Sequence, residues 1–228
     1  MSQPEVAYIE VGERSIAYRS RPGASPALVF LPGYASDMEG AKALALDAFA
    51  ERRGLAMLRF DYSGTGSSGG RFEDGTLEAW LDEALALVDR LTGGPLIAIG
   101  SSMGGWIALH LAQRRPERVQ ALIGIAAAPD FTEWGAERNR DHLTPAFREP
   151  GCKLAVLDQE IAVDCPVRLI HGEADADVPL DIAFRTMRAL RSADVQVTVI
   201  KGGGHRLSEP HEIGTILSTV AELLEQAP

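Results

Sequence analysis

The 228-residue chain contains little cysteine, few aromatic residues and no long apolar run. Its two cysteines, Cys152 and Cys165, cannot form a disulfide framework, which favours reduced thiols in the cytoplasm. No apolar stretch approaches the roughly 20 residues of a membrane span. The first residues, MSQPEVAYIE, lack a basic region followed by an apolar one and are not rich in arginine. The sequence therefore predicts neither a signal peptide nor a transit segment, and we expect a cytoplasmic protein.

Basic side chains are also in the minority. The chain has 22 Lys and Arg against 32 Asp and Glu, which gives a net charge of −10. This balance argues against a nucleic acid or an anionic membrane surface as the partner. The hydrophobic fraction of 46% and the length predict one domain, residues 1–228, with a sizeable core.

Apolar runs that are typical of buried strands alternate with stretches of helical spacing along most of the chain. An edge hairpin is predicted at Val6–Val11 and Ser15–Tyr18, and further strands at Pro26–Tyr34, Leu55–Asp61, Pro95–Gly100, Val119–Ala128, Cys165–Gly172 and Val195–Ile200. Helices are predicted at Met38–Arg53, Leu77–Val88, Met103–Arg115, Asp181–Arg191 and Glu209–Gln226, with Thr76 and Ser208 as N-caps. This alternation indicates an α/β fold with a mostly parallel sheet and helices on both faces.

One segment departs from this pattern. Residues from Pro129 to about Asp164 mix aromatic residues, charges and prolines without clean periodicity. Since regular alternation resumes afterwards, we expect this segment to be a short cap inserted between two strands.

The segment Gly100-Ser101-Ser102-Met103-Gly104 fits the pattern G-x-S-x-G, and its flanks give the pattern its weight. A predicted buried strand precedes it and a predicted helix follows it. A strand that turns sharply into a helix with serine at the apex is a nucleophile elbow. The sequence therefore predicts Ser102 as a catalytic nucleophile.

Two other glycine-rich matches lie in the loop YSGTGSSGGRFEDG and carry less weight. Gly66–Gly70 also fits G-x-S-x-G, but no helix follows it directly. Gly64–Gly69 fits the dinucleotide-binding pattern G-x-G-x-x-G, but the next predicted helix begins only near Thr76. We therefore expect a turn here, and no cofactor.

A catalytic serine requires a histidine base and an acid that orients it. In a parallel sheet these groups are expected after the carboxyl ends of strands. One predicted strand leads into the acids Glu173, Asp175 and Asp177, and the next leads through glycines to His205. We predict Asp175 as the acid, with Asp177 as the alternative and Glu173 solvated.

Four other histidines are weighed against His205 as the base. His142, in the cap, is the second candidate. His110 lies in the elbow helix, His171 ends a strand and His211 begins the last helix, so these three favour structural roles.

Several motifs together carry a family resemblance: LPGYASDMEGAKALAL, RFDYSGTGSS, GSSMGGWIALHLA, ALIGIAAA, CPVRLIHG followed by D and VP, and the late GHR. They resemble the α/β-hydrolases and, more narrowly, the family of the mitochondrial acyl-protein thioesterase that also hydrolyses mycophenolic acid acyl-glucuronide. The resemblance implies a triad at Ser102, Asp175 and His205. It also implies an oxyanion hole built from the backbone N–H groups of Tyr34 and Met103.

The cap is abbreviated compared with the family pattern. Because no targeting segment is visible in the sequence, the resemblance does not imply a mitochondrial location. Phe131, Trp134 and Phe147 are candidates for the lining of an acyl pocket, with packing of the cap on the body as the alternative.

The sequence thus predicts a serine hydrolase that cleaves esters or thioesters through an acyl-enzyme, without metal or cofactor. Its expected substrate is a small molecule or an acylated protein. A carbon–carbon bond hydrolase or an acyltransferase on the same scaffold is the alternative, and a non-catalytic small-molecule receptor is a third possibility.

Overall fold

The fold is taken from a computed structural model, which describes residues 3–135, 143–148 and 153–226. The strands are β1 Ala7–Val11, β2 Arg14–Arg21, β3 Ala24–Leu31, β4 Leu55–Phe60, β5 Leu96–Ser101, β6 Val119–Ile125, β7 Val167–Gly172 and β8 Val195–Ile200. The helices are α1 Ala41–Arg53, α2 Leu77–Leu91, α3 Met103–Arg114, α4 Phe131–Trp134, α5 Pro145–Arg148, α6 Leu180–Ala189 and α7 Pro210–Gln226, with a 3-10 turn at Phe72–Asp74.

All eight strands form one sheet in the order β1-β2-β4-β3-β5-β6-β7-β8. The first two pairs, β1 with β2 and β2 with β4, are antiparallel, and every later pair is parallel. The carboxyl ends of β3, β5, β7 and β8 therefore open at the same edge of the sheet, where the loops that carry the candidate site residues begin.

Helices cover both faces of the sheet, as the alternating sequence pattern predicts. Residues of α2, α3 and α6 pack into one core cluster, and residues of α1 and α7 pack into a second cluster on the opposite face. Strand β5 contributes to both clusters through alternate residues, because successive side chains of a strand point to opposite faces.

Some element boundaries differ from the sequence prediction. Helix α1 begins at Ala41 and not at Met38, whose backbone is used elsewhere: its N–H donates to Asp61 at 2.7 Å and its carbonyl accepts from Arg59 at 2.6 Å. Strand β6 ends at Ile125 because Ala126 adopts a positive φ of 44°. Helix α7 begins at Pro210, one residue later than predicted, so Ser208 lies one residue before the N-cap position.

The segment between β6 and β7 contains the two short helices α4 and α5. Its return towards β7 is hydrogen-bonded to the start of the same segment. The carboxylate of Asp130 accepts hydrogen bonds from the backbone N–H groups of Val156 and Leu157 at 2.7–3.0 Å. Burial raises the pKa of Asp130 above its ordinary value, against the lowering effect of these hydrogen bonds. That the segment acts as a cap stays a prediction.

None of the helices in the described part of the chain has both the length and the apolar character that a membrane crossing requires.

Candidate active site

Ser102 lies at a sharp turn between strand β5 and helix α3. Its backbone has φ 54° and ψ −120°, a conformation that non-glycine residues rarely adopt. The turn is held by a hydrogen bond from the Ser102 N–H to the Ile125 carbonyl at 2.9 Å and by another from the Ala128 N–H to the Ser102 carbonyl at 3.1 Å. A Cβ on Gly104 would lie 2.0 Å from the Leu31 carbonyl oxygen, so this position requires glycine.

The Ser102 hydroxyl lies in a continuous hydrogen-bonded series with His205 and Asp175. The distance from Ser102 Oγ to His205 Nε2 is 3.0 Å, and the distance from His205 Nδ1 to Asp175 Oδ2 is 2.9 Å. With its proton on Nδ1, the ring donates to the carboxylate and accepts from the serine hydroxyl. The sequence-predicted nucleophile, base and acid are therefore in contact.

The loops that carry the acid and the base pack directly against each other. The Ala174 N–H donates to the Gly203 carbonyl at 2.9 Å, and the Glu173 N–H donates to the Ile200 carbonyl at 2.9 Å. A Cβ on Gly172 would lie 2.2 Å from that same Gly203 carbonyl oxygen, so glycine permits this close approach. These contacts fix the position of Asp175 relative to His205.

The Asp175 carboxylate is fully buried, at 0% side-chain exposure. Its Oδ1 accepts hydrogen bonds from the backbone N–H groups of Asp177 and Val178, both at 2.9 Å. Burial alone would raise the pKa of Asp175, but the hydrogen bonds from His205, Val178 and Asp177 outweigh it, so the pKa lies below its ordinary value. The acid is therefore held in its charged form.

The other histidines occupy different surroundings. His110 is buried and donates from Nε2 to the Leu154 carbonyl at 2.8 Å, and burial lowers its pKa. His171 donates from Nε2 to the Val178 carbonyl at 2.9 Å, and this nitrogen also lies 3.5 Å from Asp175 Oδ2. His211 is exposed at the start of α7, and His142 lies outside the described residues. Each of the three described histidines thus lies where the sequence interpretation expected it.

The sequence contains two other acids close to the predicted acid Asp175. Glu173 is exposed, and its carboxylate accepts a hydrogen bond from the Gly202 N–H at 3.1 Å. Asp177 is also exposed, but it lines the cavity that contains Ser102 and His205. Asp175, not Asp177, makes the direct hydrogen bond to the histidine ring.

The residues that carry the two predicted oxyanion donors both lie close to Ser102. Met103 is the first residue of α3, where backbone N–H groups have no partner within the helix. Gly33, directly before Tyr34, packs on the elbow so closely that a Cβ there would lie 3.2 Å from Ser102 Cβ. Both backbone positions are compatible with an oxyanion hole, and the donor roles of Tyr34 and Met103 stay predictions.

A cavity of about 480 Å³ opens beside the Ser102 hydroxyl. Phe131 and Trp134 line it, as expected for candidates of an acyl pocket. Phe147 is not part of the lining: it is buried and stacks on Phe131 at 5.5 Å between ring centroids. The remaining lining residues are Tyr34, Ala128, Leu143, Asp177, Val178, His205 and Arg206.

Several of these positions were not singled out in the sequence. Arg206 and Val178 follow strand ends by several residues, and Leu143 lies in the aperiodic segment, so no regular pattern marks them. Trp106 was also missed: its indole N–H donates to the Leu154 carbonyl at 2.8 Å, the same oxygen that His110 contacts. The sequence predicted a structural role for His110 in the elbow helix and gave Trp106 no role.

Comparison with known proteins agrees with this geometry. The α/β-hydrolase fold family matches residues 26–150, which is more than half of the chain. The chain belongs to the α/β-hydrolase family. The fold class predicted from the sequence is thereby confirmed.

The α/β-hydrolase relatives match over nearly the whole chain. The mitochondrial palmitoyl-protein thioesterase ABHD10 of Homo sapiens is 36% identical, over 93% of this chain and 77% of its own length. The structure of mouse α/β-hydrolase domain-containing protein 10 superposes with a TM-score of 0.92 at 34% identity, over 97% of this chain and 99% of that one. A hydrolase structure from Agrobacterium vitis S4 gives a TM-score of 0.88 at 37% identity, over 96% and 97% of the two chains.

These matches confirm the resemblance to the thioesterase family, and the protein is a hydrolase. The thioesterase relatives are described as mitochondrial. They therefore give no support to the cytoplasmic location that the sequence favoured.

Proposed function

We propose that this α/β-hydrolase is a serine hydrolase that cleaves carboxylic esters or thioesters through an acyl-enzyme on Ser102. The observation that carries the proposal is the hydrogen-bonded series Ser102–His205–Asp175 at 3.0 and 2.9 Å. A serine hydroxyl is a weak nucleophile at neutral pH and needs a base within hydrogen-bond reach. We also propose that residues 1–228 form one catalytic domain, with residues 129–164 as its cap.

In the acylation step, His205 Nε2 takes the hydroxyl proton as Ser102 Oγ attacks the acyl carbonyl carbon. The imidazolium that results is stabilised by the Asp175 carboxylate, which also keeps the ring in the required tautomer. The backbone N–H groups of Met103 and Tyr34 would hold the oxyanion, each contributing about 3 kcal/mol to the barrier reduction. His205 then protonates the departing alcohol or thiol.

In the deacylation step, a water molecule replaces the departed alcohol or thiol. His205 removes one proton from the water as its oxygen attacks the acyl-enzyme carbonyl. Collapse of the second tetrahedral intermediate returns the proton to Ser102 Oγ and releases the carboxylic acid. Apart from the substrate and the water molecule, the groups that act in these steps are side chains and backbone groups of this chain.

The apolar side of the cavity suggests the position of the acyl chain. Phe131 and Trp134 line it together with Leu143 and Ala128, and we propose that they contact the acyl group. The relatives described as palmitoyl-protein thioesterases support an acyl thioester as the substrate class. The acyl group can be carried by a protein or by a small molecule.

A substrate panel tests this proposal. p-Nitrophenyl esters and acyl thioesters of graded chain length are assayed beside vinylogous diketones, with Ser102→Ala as the control. We expect turnover of esters or thioesters by the wild type and its loss in Ser102→Ala. Turnover of the diketones alone would favour the carbon–carbon bond hydrolase, and undiminished ester turnover by Ser102→Ala would refute the proposal.

A further inference from the structure

Asp177 places a second carboxylate beside the histidine. One carboxylate oxygen of Asp177, one of Asp175 and one ring nitrogen of His205 all lie within 4.8 Å of one another. The Asp175 carboxylate is buried, whereas Asp177 is exposed and lines the cavity next to Ser102. The imidazole therefore has two acids near it, one buried and one exposed.

The loop holds Asp177 in this position through its neighbours. The N–H groups of Asp177 and Val178 both donate to Asp175 Oδ1 at 2.9 Å, so the backbone on both sides of the Asp177 side chain is fixed. Val178 is buried, and its carbonyl accepts from His171 Nε2 at 2.9 Å. Asp177 is thus an exposed side chain on an anchored backbone.

Among the described residues, charged groups of both signs line the cavity beside the ring. Asp175 bonds to one ring nitrogen, and a carboxylate oxygen of Asp177, which lines the cavity, lies within 4.8 Å of a ring nitrogen. Arg206, the residue after His205, lines the same cavity, and its backbone carbonyl accepts a hydrogen bond from Lys42. When His205 takes the serine proton, the nearby negative charge of Asp177 favours the imidazolium.

We propose that Asp177 is a positioning residue that stabilises the charged form of His205 from the cavity side and partly replaces Asp175 when Asp175 is neutralised. The inference rests on the proposed function, since it requires His205 to act as the base. Asp177 makes no contact with the reacting atoms in this proposal and acts only through the histidine ring.

The first test compares Asp177→Asn with Asp181→Asn. Both variants remove one exposed carboxylate, but Asp181 lies in the first turn of α6 and does not line the cavity. We expect kcat/KM of Asp177→Asn to fall about three- to tenfold through kcat, and the acid limb of its pH profile to move to lower pH, because the imidazolium has lost a nearby anion. Asp177→Glu restores most of the rate, and Asp181→Asn matches the wild type.

The second test is a double-mutant cycle. If Asp177 partly replaces Asp175, adding Asp177→Asn to Asp175→Asn lowers kcat/KM by a larger factor than Asp177→Asn does in the wild type. The inference would be overturned if Asp177→Asn leaves the pH profile unchanged and lowers kcat/KM by the same factor in the wild type and in Asp175→Asn. Ser102→Ala separates the two failures: if that variant keeps its activity, the proposed function fails, and if it is inactive, only the role of Asp177 fails.

Discussion

The Tyr34 hydroxyl accepts a hydrogen bond from the backbone N–H of Thr144 at 2.9 Å, across 110 positions of the chain. Tyr34 follows strand β3 next to the elbow, and Thr144 lies in the segment between β6 and β7. The Tyr34 ring packs on Phe147 of the same segment at 4.9 Å between centroids. A residue whose backbone is proposed to hold the oxyanion thus also joins the inserted segment to the body.

Tyr34→Phe tests this connection, since it removes only the hydroxyl and leaves the ring and the backbone N–H in place. Loss of one hydrogen-bond acceptor from a partly buried N–H costs about 0.5–1.5 kcal/mol of unfolding free energy. We expect a small drop in thermal stability and a rise in KM, with kcat changed little because the oxyanion donor remains. Melting curves and steady-state kinetics measure both effects, and an unchanged KM would show that the hydroxyl does not position the segment for substrate binding.

The substitutions Gly104→Ala, at the elbow, and Gly214→Ala, in helix α7, form a matched pair for a stability test. A Cβ on Gly104 would overlap the Leu31 carbonyl oxygen at 2.0 Å, whereas a Cβ on Gly214, exposed in helix α7, meets no atom within 4 Å. Gly104→Ala is expected to destabilise the fold severely, and Gly214→Ala to stabilise it by about 0.5–1 kcal/mol through helix propensity. Chemical denaturation measures both. A Gly104→Ala protein as stable as the wild type would contradict the close approach of the elbow helix to β3.

The pH dependence follows from the low pKa of Asp175. Because the folded-state pKa of this carboxyl is lowered, it stays ionised at the pH where histidines titrate, and only at more acidic pH is its contribution to stability lost. Asp175 should therefore add no second protonation to the acid limb of the activity profile, which is expected to fall with a slope of one. The measurement is log kcat/KM against pH. A slope of two would contradict the lowered pKa of Asp175.

The sequence could group the three residues of the proposed triad because the signals that mark them are local and topological. Ser102 lies between a clear strand and a clear helix, and Asp175 and His205 follow two neighbouring parallel strands whose carboxyl ends meet at one edge of the sheet. The expectation of a parallel sheet, together with the residue types that follow its strands, was enough to group these residues without knowledge of distances.

The rest of the site depends on contacts that no local pattern records. The bond between Tyr34 and Thr144 joins a loop to an aperiodic segment, and the position of Phe147 behind Phe131 depends on how that segment returns to the body. Helix α1 begins later than the sequence predicts because the Met38 backbone bonds to side chains that are distant in sequence. Long-range hydrogen bonds of this kind override helix propensity at an element's end.

Covalent trapping of the nucleophile tests the central claim most directly. The protein is treated with a fluorophosphonate and the adduct is located by peptide mass spectrometry, with Ser102→Ala and His205→Gln treated in parallel. We expect one adduct on Ser102 in the wild type, none in Ser102→Ala and much slower labelling in His205→Gln. An adduct on another residue, or labelling of Ser102→Ala at the wild-type rate, would contradict the assignment of Ser102 as the residue that attacks the acyl carbon.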